Sequence, residues 1–117
     1  MAKILIADDS AFMRSVLRNI LAKEGFADVE EAIDGEDALK KIENGAFDLL
    51  LLDIVMPNLD GIGVLKRLPF NKVKVIVISA VGQEKMMNDA KEAGAADFII
   101  KPFEAENVLE AVKKILK

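Results

Sequence analysis

Four apolar runs in this chain stop abruptly on groups that can do chemistry. ILIAD ends at Asp8, with Asp9 next; DLLLLD ends at Asp53; VKVIVIS ends at Ser79; DFIIK ends at Lys101. An acid at the end of a buried run is costly unless its charge is compensated. Two carboxylates about 5 Å apart repel by roughly 3 kcal/mol at an effective dielectric of about 20. A divalent cation and a lysine together balance three acids. Mg²⁺ suits such a place, because it takes one or two carboxylates, keeps several waters and shares phosphate oxygens. A carboxylate can also attack phosphorus to give an aspartyl phosphate, and phosphoryl transfer asks mainly for positioning and charge stabilisation. Asp53 is thus a candidate nucleophile. Lys101 and Ser79 are candidates to hold the phosphoryl oxygens, and Asp8, Asp9 and Asp53 are candidate metal ligands.

Composition narrows the chemistry further. There is no His, which removes imidazole bases and histidine ligands, and no Cys to build a thiolate zinc site. Any metal is therefore held by oxygen, which favours Mg²⁺, Mn²⁺ or Ca²⁺. Sixteen basic against twenty acidic residues give a net charge of −4 and a pI near 4.9. That balance argues against a nucleic-acid partner. No stretch approaches the ~18 apolar residues of a membrane span, and MAKILIADDS is too short for a signal-peptide core. A soluble, cytoplasmic protein with no membrane association is expected. The 117 residues are about one domain's worth.

The elements that must position these groups follow from pattern. Strands are expected at 4–8, 28–32, 48–53, 73–79 and 97–101. Helices are expected near 11–24, 36–44, 60–68, 83–93 and 104–116. The first helix puts Phe12, Val16 and Ile20 with Met13, Leu17 and Leu21 on one side. The last stacks Val108, Leu109, Val112, Ile115 and Leu116. Gly25, Gly45 and Gly94 each follow a helix, as left-handed C-caps do. Asp34 with Asp37, and Asp60, read as helix starts. The fourth helix offers only Met86, Met87, Ala90 and Ala93 as its apolar face, so it should be the most loosely held.

Alternating strands and helices imply right-handed crossovers and a parallel α/β sheet covered on both faces. Leu49 to Leu52, apolar throughout, suits the central strand. The polar run 28–32 suits an edge. In such a sheet all carboxyl ends share one edge, where ligand sites form. Three acids, a hydroxyl and a lysine should therefore meet in one shallow crevice.

Each residue alone has a plainer use. Asp8–Asp9 could cap the first helix, Ser79 could be a loop hydroxyl, and Lys101 could be a solvated charge before a Pro102 turn. The combination is what resists this. An acidic pair, an acid closing an apolar strand before MPNLDG, then SA, then KPF resembles the receiver domain of response regulators over essentially the whole chain. Residues 10–68 are similar to stand-alone chemotaxis members of that family.

The resemblance implies a single receiver domain over 1–117 with no output domain. Its fold would be flavodoxin-like (βα)5, doubly wound, with strand order 2-1-3-4-5. It implies that Asp53 accepts the phosphoryl group and that Asp8, Asp9, Asp53 and the main-chain carbonyl of Val55 hold Mg²⁺, with Mn²⁺ able to substitute. Ser79 would be the switch hydroxyl, Lys101 the charge-stabilising lysine and Phe98 the switch aromatic. Ala80 would be the small residue beside the phosphoryl group, and Lys101–Pro102 a cis bond. The implied donor is a sensor histidine kinase of chemotaxis type. The implied target binds the helix 4–strand 5–helix 5 face, possible targets including the flagellar motor switch. Such a protein promotes its own phosphorylation and dephosphorylation without being a turnover enzyme. Phe98 lacks the hydroxyl that this position often carries. Val55 and Val81, at two positions often polar, should slow attack by water.

Three rivals follow other logic. An aspartate-nucleophile phosphatase of the haloacid-dehalogenase type carries a second acid two residues on, where this chain has Val55. A flavin module would want a Trp or Tyr to stack the ring, and there is neither. A receiver-fold interaction scaffold would have no use for the intact acids and lysine.

Overall fold

The computed structural model describes residues 2–68, 73–80 and 84–116. Strands and helices alternate: β1 (Ile4–Ala7), α1 (Ala11–Lys23), β2 (Val29–Ala32), α2 (Gly35–Asn44), β3 (Leu49–Leu52), α3 (Gly61–Arg67), β4 (Lys74–Ser79), α4 (Glu84–Glu92), β5 (Asp97–Ile100) and α5 (Ala105–Leu116). The strands form one parallel sheet in the order β2-β1-β3-β4-β5. This is the expected doubly wound α/β architecture, with the four leucines in the centre and 28–32 at an edge. The first residue expected for the fourth helix, Gln83, lies outside the described residues, as do Val81 and the link at 69–72.

Successive side chains of a strand point to opposite faces, and the two cores sort accordingly. Leu5, Ala7, Leu50, Leu52, Val75 and Val77 face α2, α3 and α4. Ile4, Ile6, Leu49, Leu51, Ile76 and Ile78 face α1 and α5, where Leu17, Leu21, Val108 and Val112 meet them. Phe12 departs from the expected stripe and is 76% exposed. It stands in the first turn of α1, at the rim, while the packing runs through Leu17 and Leu21.

Helix ends show which local signals carried weight. Ser10, not Asp8 or Asp9, caps α1, its hydroxyl accepting from the Met13 N–H. Asp34 caps α2 and Asp60 caps α3, each through a side-chain oxygen at 2.8 Å from the third residue on. Gly25 and Gly94 are left-handed, with φ of +85° and +108°. Gly45 is not: its φ is −131°. It is small for room, since a Cβ there would come within 2.9 Å of the Phe47 ring.

Helix α4 buries only Ala90 completely. Met86 packs on the α2–α3 side of the sheet, and Met87 lines a surface groove beside Phe98. Apolar stabilisation scales with buried area, so α4 is held by little. We expect its amides to exchange with deuterium faster than those of α1 and α5. Finding α4 the most protected helix would contradict this.

Candidate functional site

The sheet ladder continues past the strand ends and fixes the backbone of each chemical residue. Asp8 N–H donates to Ala32, Asp53 N–H to Ala7 and Lys101 N–H to Ser79, at 3.2, 3.0 and 2.9 Å. The parallel register aligns Ala7 with Leu52 and Leu52 with Val77. One step beyond, the acids of β1 and β3 must stand side by side. Carboxylate oxygens of Asp8, Asp9 and Asp53 all lie within 4.8 Å of one another. Asp8 and Asp53 are buried, and Asp9 is exposed at the mouth.

Lys101 reaches in from the end of β5. Its Nζ lies 3.0 Å from Asp8 Oδ2 and 3.3 Å from Asp53 Oδ2. Burial opposes the ammonium's charge, but the hydrogen bond to Asp8 and the two carboxylates outweigh it, so the pKa of Lys101 is raised. Asp53 shifts the other way in charge terms. Burial pushes its pKa up, Lys101 pulls it down, and the neighbouring Asp8 carboxylate pushes it up again, leaving it raised. Ser79 is fully buried, and Ala80 follows it at the surface. One lysine is thus shared between two buried acids, with a third acid at hand. That donor set, all oxygen and net negative, is the kind a hard divalent cation takes.

The loop after Asp53 is shaped by small and turn residues. The Val55 N–H donates to Asp53 Oδ1 at 3.4 Å, and its side chain is exposed. Asn58 adopts φ 68° and donates to Asp34, tying the loop to the start of α2. Gly61 N–H donates to Ile54 O at 2.8 Å. A Cβ on Gly61 would stand 2.5 Å from the Asp53 carbonyl oxygen and 2.7 Å from Ile54 Cα. Backbone cannot give way as a flexible side chain can. Gly61→Ala should therefore lower stability by about 1–3 kcal/mol, read as a fall in the urea midpoint. An unchanged midpoint would show that the loop relaxes freely.

Phe98 lies on β5, half-buried against the α4 side of the sheet, and pairs with Val77. The Lys101–Pro102 bond is cis. Sequence reasoning assigned no task to Arg14, Arg18 or Glu31. Arg14 donates to the Asp8 main-chain oxygen at 2.6 Å, and both arginines pair with Glu31. Their i, i+4 spacing on α1, opposite an acidic strand, was the available signal. Glu31 burial opposes its charge, but the two guanidinium groups outweigh that and hold its pKa down.

A family model for the response regulator receiver domain matches residues 4–113. This chain is a response regulator receiver domain. It is 47% identical over 116 residues to the chemotaxis protein CheY of Bacillus subtilis, covering 97% of each chain. The receiver fold also superposes on the CheX–CheY–BeF3–Mg complex of Borrelia burgdorferi, at TM-score 0.92 and 39% identity, covering 99% of this chain and 90% of that one. The response regulator TrrA of Thermotoga maritima, solved with Mg²⁺ and BeF, aligns at TM-score 0.88 and 33% identity, over 98% of this chain and 99% of that one. The receiver domain is accordingly a signalling protein that accepts phosphoryl groups, working with histidine kinases and downstream targets. Its acidic cluster fits Mg²⁺. No helix among the described residues is long and apolar enough to cross a membrane.

Proposed function

We propose that Asp53 is the residue phosphorylated, from the phosphohistidine of a chemotaxis-type sensor kinase. The observation that carries this is the position of its carboxylate, within 4.8 Å of those of Asp8 and Asp9 and under the Lys101 ammonium. An Asp53 oxygen attacks phosphorus as the P–N bond breaks, and that electron pair returns to the donor imidazole. Asp8, Asp9, Asp53 and the Val55 carbonyl would hold Mg²⁺, or Mn²⁺ in its place, which supplies positive charge to the phosphoryl oxygens. Lys101 neutralises the charge on the other side. Ser79 donates a hydrogen bond, and Ala80 leaves room for a backbone N–H. With these groups in place the protein promotes its own phosphorylation and dephosphorylation. Val55 stands where an aspartyl phosphatase would carry a second acid.

Phosphorylation adds nearly one negative charge at Asp53. Ser79 and Lys101 are drawn toward it, and the main-chain bond from Lys101 to Ser79 carries the pull to β5 and Phe98. The α4–β5–α5 face is where a target reads the change. Two surface grooves flank β5, one of about 340 Å³ holding Met87 and Phe98, the other of about 460 Å³ holding Ile99 and Ala111. Because its relatives are chemotaxis proteins, the flagellar motor switch is the target we favour, and the cytoplasm is the compartment.

Intact-mass spectrometry after acetyl phosphate tests the chemistry. Wild type should gain one phosphoryl group only when Mg²⁺ is present, and Asp53→Asn should gain none. With valine at positions 55 and 81, both often polar in the family, the label should then decay slowly in Mg²⁺ buffer. Equal labelling of the Asn variant would refute the assignment, and fast decay would remove the role given to the valines.

A further inference from the structure

Arg14 makes one contact that ordinary packing does not require. Its side chain is only 13% exposed. One guanidinium nitrogen donates to the Asp8 main-chain oxygen at 2.6 Å, while Nε donates to Glu31 Oε1 at 2.9 Å. Glu31 is itself tied down twice more: Arg18 Nε donates to its other oxygen at 2.9 Å, and Lys41 donates to its main-chain oxygen. A strut therefore runs from β2, through a charge-paired guanidinium, onto the backbone of the residue that begins the acidic turn. Elsewhere the turn is held by Asp8 N–H to Ala32, Ser10 N–H to Asp8 Oδ1, Lys101 Nζ to Asp8 Oδ2 and Met13 N–H to Ser10 Oγ, none of which reaches the Asp8 carbonyl.

We propose that Arg14 is a positioning residue for cation binding, clamping the Asp8 carbonyl so that the Asp8 and Asp9 carboxylates face Asp53, with Glu31 as its buttress. The inference rests on the reading that these acids hold Mg²⁺. Charge and position make opposite predictions here. A guanidinium close to the acids repels a cation, so if Arg14 acted through charge alone, removing it would tighten Mg²⁺ binding. If it acts as a clamp, removing it loosens binding. Arg18 supplies an internal control, because it pairs with the same Glu31, and the hydrogen bonds and ion pairs described for it reach no atom of the acidic turn.

Calorimetric Mg²⁺ titrations of wild type, Arg14→Met, Arg14→Lys, Arg18→Met and Asp9→Asn test this, with urea midpoints taken alongside. Residues supporting metal ligands are commonly worth 10- to 100-fold in affinity, so Arg14→Met should weaken Mg²⁺ binding about tenfold. Arg18→Met, removing one half-exposed ion pair, should stay within about twofold of wild type. Lysine cannot reproduce the forked contact to two acceptors, so Arg14→Lys should recover affinity only in part. Should Arg14→Met fail to fold, Arg14→Lys and Glu31→Gln carry the test, both being weaker binders than Arg18→Met. Affinity in the Arg14 variants equal to or tighter than that of Arg18→Met overturns the clamp, whatever happens to stability. If wild type binds no Mg²⁺, or Asp9→Asn binds as wild type does, the metal assignment itself fails and the clamp with it.

Discussion

Replacing Lys101 with methionine should lower the stability of the metal-free protein by about 3 kcal/mol at pH 7, the range seen when one partner of a buried ion pair is lost. The lysine is a single cation serving two buried acids, at 3.0 and 3.3 Å. Methionine keeps the stem's packing and removes only the charge. Asp8 and Asp53 are then left facing each other, and carboxylates about 5 Å apart repel by roughly 3 kcal/mol at an effective dielectric of about 20. The effect should depend on pH with a definite sign. Lys101 is one of the groups that lower the Asp53 pKa, so its loss raises that already raised value further. A carboxyl whose folded pKa lies above its unfolded one favours the fold at low pH and loses that benefit as pH rises. The gap between wild type and variant should therefore be small below the wild type's raised Asp53 value and widen above it, up to the variant's still higher one. Mg²⁺ should stabilise the variant more than the wild type, since no ammonium then competes for the same oxygens. Urea unfolding across pH measures all three. A loss below about 1 kcal/mol at pH 7, as for an exposed pair, would mean that water already screens the site.

How much of this site was legible before the fold was known depends on the range of each signal. Asp8, Asp53, Ser79 and Lys101 were readable because each ends an apolar run, and a parallel sheet sends all such ends to one edge. That inference needs only strand direction. The caps at Asp34 and Asp60 are contacts over three residues and were equally visible. Ser10 was passed over in favour of its acidic neighbours, because a cap is set by backbone direction at the turn and not by residue preference alone. Gly45 was misread for a similar reason: glycine after a helix suits both a left-handed turn and a crowded one, and only the place of the Phe47 ring separates them. Arg14 was hidden most deeply. Its task joins α1, β2 and the end of β1, and no single stretch of sequence contains all three.

Asp53→Asn should reverse its rank against wild type when Mg²⁺ is added. Without metal, burial and the Asp8 carboxylate raise the pKa of Asp53 despite Lys101. Between 3.8 and that raised value the folded state holds a proton that the unfolded chain has released. Stability therefore falls as pH rises through this window, and at pH 7 the ionised Asp53 is a net cost to the fold. Asparagine keeps the shape, can still accept from the Val55 N–H, and carries no charge. It gives up an ion pair with Lys101, but it also ends the repulsion with Asp8, and the lysine keeps Asp8 as partner. The variant should gain about 1 kcal/mol in metal-free buffer, the difference between a repulsion of some 3 kcal/mol and a lost charged hydrogen bond of about 2. With Mg²⁺ at 100 times its dissociation constant, wild type should gain about 2.7 kcal/mol. The Asn variant lacks one of the three carboxylates and should gain much less, so wild type becomes the more stable of the two. A variant that is less stable than wild type without metal, or that keeps the full Mg²⁺ gain, would break the link between the buried charge at the end of β3 and the cation meant to balance it.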